Sequence, residues 1–92
     1  LVHRAHALLR AGVASGAGGG ADAVIGCLAP VEDCYRPYLS PPTKVARAAH
    51  RKMAEALRDA GFDTILCETF PHAGEAVVAV EEAVRTGLPT WV

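Results

Sequence analysis

Apolar positions along this chain switch between helical and strand spacing, and the switches mark out its elements. Leu1, Val2, Ala5, Leu8, Leu9 and Gly12 recur at helical intervals, with His3, Arg4 and Arg10 on the other side. The stretch 12–20, crowded with Gly16, Gly18, Gly19 and Gly20, ends that helix. Residues 23–28 form a short continuous apolar run, as expected of a strand covered on both faces. A proline-rich loop over 29–42 leads to a second helix over 43–60, whose apolar stripe is Val45, Ala49, Met53, Leu57 and Ala60. Ser40 or Thr43 can cap its start, and Gly61 supplies the left-handed residue that ends it. Residues 62–67 read as a second strand. A third helix over 73–86 turns Ala73, Ala76, Val77, Val80 and Val84 inward and stops at Gly87, and a third strand begins after Leu88 and Pro89.

Strict alternation of helix and strand calls for parallel strands joined by right-handed crossovers, an α/β fold. With 92 residues the chain suits one small domain and is below the usual size of a complete barrel enzyme. It begins on Leu1 without Met and stops at Pro89-Thr90-Trp91-Val92, where a strand is opening. The expectation is a piece of a larger domain, with partners of its site residues outside it.

Hydrophobic residues make up 51% of the chain, which excludes a disordered composition. The net charge of -1 gives no basic footprint for nucleic acid. No run approaches the roughly 18 apolar residues of a membrane helix. A soluble cytoplasmic protein with reduced thiols is expected, because three cysteines form neither an even nor a closely spaced set.

The residue that calls for an explanation is Glu68. It ends an apolar strand, Ile65-Leu66-Cys67, and is followed at once by Thr69-Phe70-Pro71 and a helix. Parallel α/β enzymes keep their chemistry at the carboxyl ends of strands. Glu68 can hold a substrate ammonium there or act as a general base, or it can serve structurally by capping Thr69 or the next helix. A charge at that point is costly unless paired, which favours a binding role. The long loop 29–42 is either a lid or a proline-stiffened excursion. The glycines at 16–20 follow a helix and precede a strand, the reverse of a phosphate loop, so they read as a surface connection.

Cys27, Cys34 and Cys67 invite a zinc site, but Cys27 sits inside an apolar run and Cys34 has no second ligand at metal spacing. Cys27 and Cys67 therefore read as small buried hydrophobes and no metal ligand is assigned. His3, His6, His50 and His72 are scattered, with His50 on the outer side of the second helix and His72 solvated at the start of the third. The charged face carrying Lys44, Arg47, Arg51, Lys52, Glu55, Arg58 and Asp59 reads as solvated, with Arg51 and Glu55 paired at i,i+4.

Three blocks in order, Val24-Ile25-Gly26-Cys27-Leu28-Ala29-Pro30, Val31-Glu32-Asp33-Cys34-Tyr35-Arg36-Pro37, and Leu66-Cys67-Glu68-Thr69 with Glu75-Ala76, resemble the homocysteine S-methyltransferase family. The first is similar to that family's Gly-Ser-x-(Gly or Ala)-Pro segment after the third barrel strand, with Cys27 where Ser is frequent. The third is similar to its Glu-Thr-x-Pro segment after the fourth. The resemblance covers about residues 21–92.

The resemblance implies a partial (βα)8 TIM-type barrel, with this chain covering about strands 3 to 5 of a single domain. It implies methyl transfer to the thiol of homocysteine, giving methionine, with homocysteine and a methyl donor as small-molecule partners. Glu68 matches the glutamate that contacts the substrate amino group. It also implies Zn²⁺ in the full-length protein, held by cysteines of later strands outside this chain, so that the piece alone is inactive. Two other readings stay open: an unrelated α/β-barrel enzyme using Glu68 as acid or base, and a non-catalytic α/β binding segment.

Overall fold

The computed structural model describes residues 1–15 and 23–92. The glycine-rich connection at 16–20 lies outside the described residues. Among the described residues three helices, α1 (Val2–Ser15), α2 (Thr43–Ala60) and α3 (Ala73–Arg85), alternate with three strands, β1 (Ile25–Leu28), β2 (Thr64–Cys67) and β3 (Thr90–Trp91). A single 3-10 turn, Pro37–Leu39, interrupts the loop between β1 and α2. The strands are parallel and lie in chain order β1-β2-β3. Sequential order among parallel strands, with helices on one side, is compatible with a segment of a barrel.

Register decides which residues face the helices. Gly26 pairs with Ile65 and Leu28 with Cys67, and all four are buried. The core gathers Leu28, Ile65 and Cys67 with Ala54, Leu57, Phe62, Ala79 and Ala83. The opposite face carries Cys27, its partner Leu66, and Trp91 opposite Leu66 on the far strand. Cys27 and Trp91 are exposed and Leu66 is half-buried. The run 23–28 is thus covered on one face only, and Cys27 is an open-face residue rather than the buried hydrophobe expected.

On α2 and α3 the buried face is displaced from the stripe of larger apolar residues, although Leu57 is buried and Ala60 and Val80 pack against the core as expected. On α2 the buried positions are Ala46, His50, Ala54 and Leu57, while Val45 and Met53 are exposed. On α3 they are Glu75, Val78, Ala79, Glu82 and Ala83, while Val77 and Val84 are exposed. On α1, Leu8 and Leu9 face out and His6 packs edge-on against Phe62 at 4.9 Å between ring centres. The cause is common to α2 and α3. Small residues let the helices approach closely, and paired charges fill the seam between them, so only part of the apolar stripe, Leu57 with Ala60 and Val80, reaches the core.

Those pairs also correct the reading of the charged α2 face. Arg51 Nε donates to Glu82 at 2.6 Å, and Arg47 donates to Glu82 at 3.3 Å and to Glu81 at 2.7 Å. The Glu82 side chain has no solvent exposure. Arg51 therefore pairs with Glu82 across the seam, and Glu55 along its own helix adds a smaller attraction. Near the amino ends of the strands, Arg10 of α1 and the Val24 N–H both bind Asp63, at 2.6 and 2.7 Å.

The helix ends follow local chemistry. Gly61 (φ 103) closes α2 in the left-handed region, as its sequence position predicts. The start of α2 differs from expectation. Pro42 is the cap, without a side-chain bond, and Ser40 is engaged elsewhere. His72 caps α3, its Nδ1 accepting from the Glu75 N–H at 3.1 Å.

Candidate functional site

The carboxyl ends of β1 and β2 form the rim from which the long loop and the Glu68 turn both depart. The parallel ladder runs to the last possible residue, with the Glu68 N–H donating to Leu28 O at 3.1 Å. Alternation along β2 then puts Glu68 on the side of Leu66 and Cys27, the open face. The next residue, Thr69, has φ 62, a left-handed conformation rare for a β-branched side chain. Its Oγ1 donates to Glu68 O at 2.7 Å, fixing the turn locally. Strain of this kind, of order 1–3 kcal/mol, persists where surroundings hold it and is concentrated at functional sites.

Glu68 is exposed. The expectation that its charge is costly without a partner therefore does not apply here, and its reach toward solvent is what suits a ligand role. Cys27 lies beside it. The Glu68 carboxylate accepts a hydrogen bond from the Cys27 thiol, and this, with burial and the neighbouring charge, pushes the thiol up. Cys27 is accordingly held toward its neutral thiol form.

A cavity of about 360 Å³ opens at the exit of β1, bordered by Cys27, Ala29, Val31, Ala49, His50 and Met53. The exposed Met53 and half-buried Ala49 of the expected α2 stripe are thus used on its wall.

Behind the rim lies a group that periodicity placed elsewhere. His50, expected outside, is 2% exposed, and Glu75, not singled out beyond its block, is 3% exposed. His50 Nε2 bonds Glu75 Oε1 at 2.9 Å, and the His50 ring sits edge-on to Phe70 at 5.5 Å. Val31 N–H also donates to Oε1, at 2.8 Å, and the Ser40 hydroxyl donates to Oε2. Burial pushes the Glu75 carboxyl up, but the Ser40 hydroxyl, the Val31 N–H and His50 outweigh it and hold it below the usual range. The signal available in sequence was the spacing. Glu75 and Glu82 stand seven apart on one α3 face, opposite Arg47, His50 and Arg51 of α2.

The cysteines are not brought together. Cys27 and Cys67 sit on adjacent, opposite-facing positions of neighbouring strands, and Cys34 is in the loop. Burial pushes the Cys67 thiol up, as suits a packed side chain. Among the described residues no group of three or more His, Cys, Asp or Glu could hold a metal ion. Among the same residues no helix is long and apolar enough to cross a membrane.

Comparison with curated proteins and with solved structures gives no match. The family model described as homocysteine S-methyltransferase matches residues 1–92, α1 and the glycine-rich connection included. With Glu68, Thr69 and Pro71 at the turn of β2 and that match over its whole length, the chain belongs to the homocysteine S-methyltransferase family.

Proposed function

We propose that this chain is part of a (βα)8 barrel that transfers a methyl group to the thiol of homocysteine, and that Glu68 grips the substrate ammonium. The observation that carries the reading is the placement of an exposed carboxylate on the open face at the carboxyl end of β2, with a thiol donor beside it. A carboxylate so placed accepts charge-assisted hydrogen bonds from an ammonium and leaves the thiol end of the amino acid free to point along the rim. In the transfer, the sulfur forms the new bond to the methyl carbon, the donor's bond to that carbon breaks with its electron pair staying on the donor, and the thiol proton passes to water. The zinc on which the family generally depends is proposed to be held by cysteines outside these 92 residues.

The test is Glu68→Ala in the full-length protein. Loss of a charge-assisted contact of about 1.5–3 kcal/mol weakens homocysteine binding by roughly 10- to 150-fold. Zinc content, measured by metal analysis, stays near wild type. Parallel loss of zinc and of homocysteine binding would refute the assigned role.

A further inference from the structure

The loop 29–42 is held at both of its feet by one carboxylate. Val31, just past β1, and Ser40, just before α2, bind the two oxygens of Glu75, a residue of a different helix. His50 of α2 completes the set, and through its contact with Phe70 it ties the carboxylate to the turn that follows Glu68. The α3 amide of Glu75 is itself capped by His72, so the hub is fixed from its own helix as well. Every segment that leaves or enters the rim here, the β1 exit, the start of α2, the β2 turn and the start of α3, meets at this one group.

Between the feet the loop makes few ties of its own. Asp33 accepts from the Tyr35 N–H at 2.7 Å and pairs with Arg36 at 3.6 Å, and Pro37–Leu39 forms its 3-10 turn. Tyr35 and Tyr38 are 89% and 77% exposed. A loop with its feet pinned in this way leaves those tyrosine side chains exposed.

We propose that Glu75 is the positioning residue of the substrate rim, a latch that fixes the loop 31–40 beside Glu68 so that the loop forms one wall of the binding site. It touches no reacting atom. This rests on the assignment of Glu68 as the ammonium contact, and it adds a residue whose role is exerted through the loop. Glu75→Gln keeps an amide oxygen for Val31 and His50 and an amide donor for Ser40, so it retains the latch. Glu75→Ala removes it. Ser40→Ala, a milder change at a half-buried residue, releases one foot.

The measurement is hydrogen–deuterium exchange on the full-length protein, paired with steady-state kinetics and metal analysis. In Glu75→Ala and Ser40→Ala, amides 31–40 should exchange about tenfold faster or more while those of β2 and α3 keep their protection. The KM for homocysteine should rise several-fold more than kcat falls, zinc content should hold, and Glu75→Gln should restore most of both. Unchanged loop exchange, acceleration of the core amides equal to that of the loop, or loop release with an unaltered KM would each overturn the proposal. A wild-type protein that does not turn over homocysteine would sink the substrate assignment alone, because the exchange arm still decides the latch.

Discussion

Gly26 offers a sharp test of how β1 is seated under α2. It stands on the helix-facing side of the strand, where an added Cβ would lie 2.8 Å from Leu57 Cδ2, 3.3 Å from Leu57 Cδ1 and 3.1 Å from Phe62 Cγ. Carbon atoms in contact prefer about 3.5–4.0 Å. Leu57 and Phe62 are 5% and 8% exposed and belong to the core cluster, so neither can swing aside without opening a void. Overpacking of this kind costs about 1–3 kcal/mol, and the smaller entropy loss of Ala returns about 0.5–1 kcal/mol. The net expectation for Gly26→Ala is a loss of about 0–2.5 kcal/mol, the range those two terms leave together. Leu57→Ala alone should cost about 2–5 kcal/mol through the cavity it leaves. In the double variant the new methyl group enters that cavity, so the two losses should fall short of their sum by at least about 1 kcal/mol. Urea titration of the four full-length proteins, followed by circular dichroism, gives the cycle. Additivity within about 0.5 kcal/mol would refute the reasoning, as would a Gly26→Ala protein more stable than wild type.

Two further expectations concern acid and strain. Asp63 is held below the usual range by the Val24 N–H and Arg10, Glu82 by Arg51 against burial, and Glu75 by its three donors. Because each folded carboxyl titrates below its unfolded value, the unfolded chain binds more protons in the acid window. The stabilisation is therefore complete above about pH 4.3 and is lost as pH falls through the folded values. The urea midpoint should fall on acidification, and less steeply in Glu82→Gln; an equal or steeper fall in that variant would count against Glu82. At Thr69, Gly takes φ 62 without strain whereas Val keeps the β-branch and loses the hydroxyl. Thr69→Val should lower thermal stability by about 1–2 kcal/mol and Thr69→Gly by less than about 1 kcal/mol, and the reverse ranking would overturn the account of the turn.

The order of elements, the Gly61 stop and the strand-end position of Glu68 were legible because each depends on local chemistry: period, left-handed backbone, an apolar run meeting a charge. The helix faces were legible only in part, at Leu57, Ala60 and Val80. At Val45, Met53, Val77 and Val84 a large apolar side chain outweighs Ala in any reading of hydrophobic period, yet the seam accepts Ala46, Ala54, Ala79 and Ala83 because they let backbones come close. The buried polar residues misled in the same direction. His50, Glu75 and Glu82 look like surface residues one at a time, and they become interior residues only as partners of groups on the facing helix or loop. Cys27 was misjudged for a different reason, since an apolar run does not say which of its two faces is covered.

The pinning of Val31 and Ser40 to a single carboxylate has a consequence for how much residues 32–39 can vary. Once the feet are fixed, lengthening the span between them carries only the logarithmic cost of a larger closed loop, about 0.6 kcal/mol per doubling. The strands and helices below do not register the change. Insertions and substitutions at Asp33, Tyr35 or Tyr38 can therefore reshape this exposed surface while the scaffold stays as it is. The constraint falls instead on Glu75, distant in sequence from the loop it holds.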